Sequence, residues 1–217
     1  MTGRISLERT VCGGMLDGVT ARRKQPDVTR RLLLEAAHEC FSTRGHAGSG
    51  IGAVIARAGT TSGALFHHFA DKRELTLAWI REVLAARLHE EWIAPLSAVG
   101  SLDELRVLVR DRCTAIDPSS PVSALAAVGA EIAGAEPTLR DAIDTLIREW
   151  HEALEATIER GRSEGWIHRG IRPENESKLI IASICGLAVT ARMTTDPSHN
   201  VRIAAAIDGY LDTLRPL

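Results

Sequence analysis

In the stretch LRDAIDTLIREWHEALEATIERG, residues 139–161, the side chains Leu139, Ile143, Leu146, Ile147, Trp150, Leu154, Thr157 and Ile158 recur at steps of one, three and four. That is the period of an α-helix, and a stripe this long predicts one amphipathic helix over 137–165 that needs other apolar surfaces to cover it. Most of the chain follows the same rule. Helical spacing also predicts helices over 72–94, 102–116, 122–134, 174–194 and 197–214, separated by turn-forming residues at 95–100, 117–121 and 134–137. Strand patterns are absent, so the expected class is all-α with about nine helices.

The front of the chain reads differently. Residues 1–25 are rich in Gly, Thr and Arg without an apolar period, which predicts a flexible basic arm carrying Arg22, Arg23 and Lys24. From Pro26, the residues Leu32, Leu33, Ala36, Ala37, Cys40 and Phe41 mark a first helix ending near Gly45. In SGIGAVIARAG, Ser49 is the expected N-cap of a second helix, Ile51, Val54, Ile55 and Ala58 its apolar face, and Gly59 its stop. Thr61 is expected to cap a third short helix, with Leu65 and Phe69 facing inward while Ser62, Ala64, Phe66 and His67 face elsewhere. Two short helices meeting across a tight turn form a helix-turn-helix, and a compact polar face on the second suits a groove of DNA. Expected boundaries are therefore the arm at 1–25, a helix-turn-helix domain at 26–72 and a helical domain at 73–217.

Charge supports the division. Residues 1–75 hold 11 Lys and Arg against 7 Asp and Glu, a net of +4, and the remainder carries −6. A basic front on an acidic body suits an anion-facing module. No apolar run approaches the ~18 residues that cross a bilayer, and the start lacks the apolar block of a secretory signal, so the expectation is a cytoplasmic protein with no membrane partner. Cys12, Cys40, Cys113 and Cys185 are far apart, which predicts neither a disulfide nor a metal site, and no cofactor is called for.

Ala58-Gly59-Thr60-Thr61-Ser62-Gly63-Ala64-Leu65-Phe66-His67-His68-Phe69-Ala70-Asp71-Lys72 follows the pattern A-G-[VT]-[ST]-x-G-x-[LF]-Y-x-H-F-x-x-K. On these residues, the region from about 28 to 75 resembles the DNA-binding domain of the tetracycline-repressor (TetR) family of bacterial regulators. The resemblance implies a three-helix DNA-binding unit, a C-terminal helical domain that binds a small-molecule effector, and a homodimer, usually a repressor, on a palindromic operator in double-stranded DNA. Phe66 stands where that pattern has Tyr, whose hydroxyl typically reaches a phosphate, and Thr60 replaces a commoner apolar residue.

Base readout falls, by position, to Thr61, Ser62, Ala64 and His67, with Gly63 admitting close backbone approach. Phosphate contacts are expected from Ser49 and Gly50 at the start of the second helix, from Lys72, from Arg30 and from the basic arm. His67 and His68 point about 100° apart on a helix and do not form a metal-binding pair. Asp71 or Glu74 is expected to pair with Lys72 or Arg73 at the surface. If the family architecture holds, the effector site lies among the helices of 102–165, with Arg112, Cys113, Glu131 and Trp150 as candidates, although core or solvated roles suit each of them as well. Small residues among large ones in IIASICGLAVTA and IAAAIDGYLDTL suit a four-helix dimer interface through Ile184, Leu187, Ala188, Ile207 and Leu211, or an intramolecular core. A competing reading is an all-helical carrier or enzyme that keeps the helix-turn-helix as scaffold. It has neither a nucleophile elbow nor a metal-spaced cluster, and GSGIG at 48–52 follows a helix rather than the strand a phosphate loop requires.

Overall fold

The computed structural model describes residues 17–132 and 136–216, with side chains from residue 27 onward. Residues 1–16 of the arm expected over 1–25 and residues 134–135 of the break expected at 134–137 lie outside the described residues. Every regular element among those described is helical. The first, α1 (Asp17–Arg44), begins well ahead of Pro26, so the basic triplet at 22–24 is helical backbone rather than part of a flexible arm. Ala, Arg, Lys and Gln are good helix formers, and the helix continues through Pro26 with the loss of the one bond that residue cannot donate. Leu33, Leu34, Ala36, Ala37, Cys40 and Phe41 are buried, whereas Leu32 is 48% exposed. Leu33 and Leu34 are adjacent, so they cover different sides of α1. One side meets α2 (Ile51–Ala58) and α3 (Ser62–His68), and another meets α7 (Pro121–Ile132) of the body.

A helical rod over residues 72–98 leads out of the front unit. It comprises α4 (Lys72–Trp79), a π-helical turn (Ile80–Leu84), α5 (Ala85–Leu88), a second π turn (His89–Ile93) and a 3-10 turn (Ala94–Ala98) started by Pro95. The buried residues explain the π turns. Leu75, Trp79, Leu84, Leu88, Trp92 and Leu96 follow steps of four and five, and on a regular α-helix each step of four drifts by about 40°. A π turn takes up an extra residue and brings the stripe back to the core. The expected helix at 72–94 is thus present, with a modulation that the step pattern carried.

In the body, α6 (Leu102–Thr114) packs on α10 (His199–Asp212), where Arg106 reaches both carboxylate oxygens of Asp208 at 3.0 and 2.9 Å. The long α8 (Pro137–Glu164) runs against the rod and α9 (Pro173–Ala191). Trp150 of α8 meets Trp92 at 5.2 Å between ring centroids, and Arg160 donates to the carbonyls of Leu96 and Val99 that end the rod. Gly165 ends α8 with a φ of +86°, a backbone region that favours glycine.

His38, 1% exposed, joins front to body. Trp79 donates its indole N–H to His38 Nδ1 at 3.3 Å, which leaves the imidazole proton on Nε2 to donate to the Ser119 carbonyl at 2.9 Å. Phe41 meets Trp79 edge-on at 5.1 Å. Truncating Phe41, at 0% exposure, opens a cavity where α1 meets the rod, and Phe41→Ala is expected to lower unfolding free energy by about 3–5 kcal/mol in urea titrations. Burial also holds the imidazoles of His38 and His46 below their ordinary pKa of 6.5. Both charge more readily in the unfolded chain, so their stabilising contribution is full above about pH 6.5 and is lost as pH falls below it. Denaturation midpoints are expected to drop between about pH 7.5 and 5.5, and the slope should be shallower in His38→Gln.

Candidate nucleic-acid interface

Three local devices fix the exposed end of the front unit. Gly59 closes α2 in the left-handed region, φ 62° and ψ 34°, and donates to the carbonyls of Ile55 and Ala56. Thr61, extended at φ −114°, accepts through its hydroxyl from the Ala64 amide at 3.2 Å and so caps α3 as its sequence position predicts. Asp71 accepts from the Glu74 amide at 2.8 Å, and Glu74 accepts from the Ala70 amide at 2.6 Å. Together these two contacts set the corner between α3 and α4. Asp71 and Glu74 are therefore used in capping, and neither forms an ion pair with Lys72 or Arg73 among the described residues.

On α3, Leu65 and Phe69 are 0% and 1% exposed and anchor the helix against α1. Ser62, Gly63, Phe66 and His67 are exposed and Ala64 is half-buried, so the outward face is hydroxyl, bare backbone, aromatic ring and imidazole. Phe66 is 53% exposed, a large apolar ring in solvent. His68 is half-buried, with its ring 5.2 Å from that of His67.

The expected phosphate contacts divide. Gly50, the true N-cap of α2, is exposed beside Gly52, and the amino end of α2 opens on the surface. Ser49 is not its cap: it is 0% exposed and donates its hydroxyl to the Cys40 carbonyl at 2.9 Å. The side chain reaches back to α1 because the turn folds it under α2. Arg30 forms an ion pair with Glu82 and lies 5.2 Å over the Phe69 ring. That hydrogen bond to Glu82 raises the guanidinium pKa and lowers that of the carboxyl. Lys72 turns inward and donates to the His46 carbonyl at 2.5 Å, its pKa lowered by burial. The exposed cation at the start of α4 is its neighbour Arg73, which makes no ion pair among the described residues. Sequence reasoning placed it only in a surface pair with Asp71 or Glu74, and the one hint of a phosphate role was its place one residue past the motif.

Candidates in the body separate as well. Cys113, at 0% exposure, and Trp150, at 1%, are sealed in the core, where burial raises the Cys113 thiol to about 12. Glu131 is exposed at the end of α7 and accepts from the Ala47 amide at 2.6 Å, so it serves the front unit instead of a cavity. Arg112 borders a polar groove of about 450 Å³ shared with Glu90 and Glu91. Ile184, Leu187, Ala188, Ile207 and Leu211, expected at a dimer interface, are all under 8% exposed within one chain. They pack α9 and α10 onto the rest of the body, because the helical period defines a stripe without saying which surface meets it. The outward face of that helix pair carries an apolar groove of about 470 Å³ bordered by Leu179, Ser183, Gly186, Ala206 and Tyr210, and Leu187 and Ile207 of the expected set reach its floor. Among the described residues there is no cluster of potential metal ligands, and no helix is long and apolar enough to cross a membrane.

Comparisons with known proteins agree with this geometry. The profile described as "Bacterial regulatory proteins, tetR family" matches residues 33–79, and that described as "Tetracyclin repressor-like, C-terminal domain" matches 123–207. The repressor AcnR of Corynebacterium glutamicum is 36% identical over 87 residues, 40% of this chain and 44% of that protein. The chain thus spans less than half the length of that relative. The A-factor receptor protein of Streptomyces griseus is 25% identical over 172 residues, 79% of this chain and 58% of the relative. A transcriptional regulator from Cytophaga hutchinsonii has the same fold, with a TM-score of 0.76 at 17% identity over 88% of this chain and 97% of that one. With its front unit and its body each matched by a profile of the same kind, this chain belongs to the TetR family of bacterial regulatory proteins.

Proposed function

We propose that the chain is a sequence-specific DNA-binding transcriptional regulator, a cytoplasmic repressor released from a palindromic operator by a small-molecule effector. The observation that carries this reading is α3, pinned by Leu65 and Phe69 and capped by Thr61, with Ser62, Gly63, Phe66 and His67 facing solvent. A helix in the major groove reads base edges through a few such side chains. Gly50 at the amino end of α2 offers backbone N–H groups to a phosphate, and Arg73 offers a charge. Phe66 has no hydroxyl for phosphate, so its ring contributes apolar contact instead, for example to a thymine methyl.

Two copies meeting through the apolar groove of α9 and α10 would set two α3 helices about 34–36 Å apart, one turn of DNA. Such a pair requires a palindrome. The names of the relatives, a repressor and a receptor, support repression and ligand response. An effector acts by preferring a subunit spacing that does not fit both grooves, and it shifts the balance only by its difference in affinity between the two spacings.

Selection of bound DNA from random sequence should return a palindrome, with affinity falling by orders of magnitude as salt rises from about 50 to 200 mM. Recovery of no preferred sequence at low salt would refute the function. His67→Ala should relax the preference at one or two base positions by about 1–3 kcal/mol, read from the selected sequences, while its unfolding midpoint stays near that of the wild type.

A further inference from the structure

The turn between α1 and α2 is gripped from two directions by charged side chains of the body. Arg192, which caps the carboxyl end of α9, donates to the carbonyl of Ser42 at 2.5 Å and to that of Thr43 at 3.1 Å. These are among the last carbonyls of α1, where a cation complements the helix dipole and its fork reaches two acceptors together. Glu131, at the end of α7, accepts from the Ala47 amide at 2.6 Å. A cation meets the acceptors and an anion meets the donor, so each contact is charge-assisted. Both side chains hold backbone, and Glu131 comes close against the turn at Gly45. There φ is +75°, and a Cβ would fall on the Glu131 carboxylate. From inside the front unit, Lys72 holds the His46 carbonyl. The gripped turn runs straight into Gly50 and α2, and α2 carries α3.

We propose that Glu131 and Arg192 are positioning residues that fix the tilt of α2 and α3 relative to the body. This rests on the DNA-reading function proposed above and goes further, by naming the side chains that orient the reading head. Arg192 belongs to the helix that also walls the outward apolar groove, so a change in how two copies meet along α9 passes directly to the α1–α2 turn. Glu131 brings the carboxyl end of α7 to the same place. If the grip orients the two heads of a dimer, its loss leaves each head able to read a half-site but no longer holds the pair to one separation.

The test uses the full-length protein with Glu131→Ala, Glu131→Gln and Arg192→Ala. Amide hydrogen exchange at Ala47 is expected to rise about tenfold or more in Glu131→Ala and to stay near wild type in Glu131→Gln, which keeps an acceptor oxygen. On the operator selected by the wild type, and on versions with one base pair added or removed between half-sites, discrimination between spacings should fall about tenfold in Glu131→Ala and Arg192→Ala, within the usual range of coupling between sites. Half-site affinity and thermal midpoints should change little, which a merely structural role for these residues does not require. Equal exchange at Ala47 in wild type and Glu131→Ala would overturn the grip. Unchanged spacing discrimination in both alanine variants would overturn the positioning role while leaving DNA reading intact. A wild type that selects no sequence would bring down the DNA-reading function and the positioning role with it.

Discussion

Everything in this molecule hangs on α1 being buried from more than one side. Leu33, Leu34, Ala36, Ala37, Cys40 and Phe41 leave little of its middle to solvent, and their neighbours come from the small front helices, from the rod and from α7. A helix apolar over most of its circumference has no stable existence at a surface. The front unit and the body are therefore not independent beads, since the buried side chains on the several sides of α1 join them in one continuous core. His38 adds a polar stitch across the same seam, with both ring nitrogens engaged in the neutral form. Charged contacts between Arg87 and Glu35, and between Arg30 and Glu82, repeat the link at the surface, where each is worth little alone.

What could be read from the sequence was whatever depended on neighbours along the chain. Caps and stops such as Thr61, Gly59 and Gly165 act within four residues, and the inward pair Leu65 and Phe69 follows from helical period alone. What could not be read depended on partners distant in sequence. Lys72 and Arg30 were candidates for phosphate because they are cationic, yet His46 and Glu82 take them up. Ser49 looks like a cap until the turn folds it under Cys40. The small-residue stripes of α9 and α10 were visible, but their direction was not, and Ile184 and Leu211 proved to face their own chain. Glu131 was a candidate for the effector site, and its partner, a backbone amide far back in the sequence, gave no signal.

With two expected cations withdrawn, the surface offered by α3 is less charged than its motif suggests. Hydroxyls, bare backbone and two rings dominate it. Contacts of that kind carry information about bases more than attraction to phosphate, to which the amino end of α2 and the Arg73 guanidinium contribute. The body shows a related economy. Trp92 and Trp150 close the space between the rod and α8, and the thiol of Cys113 is buried too deeply to ionise near neutral pH.

The two π turns give the rod an uncommon tolerance. Each holds one residue more than a regular turn of helix needs. A deletion of a single residue within 80–84 would convert that segment to ordinary α-helix and leave Trp92 beyond it in almost the same orientation, whereas the same deletion in α8 would swing every later side chain by about 100°. Length variation among descendants of this gene should accordingly gather at these slack coils and spare the taut helix beside them.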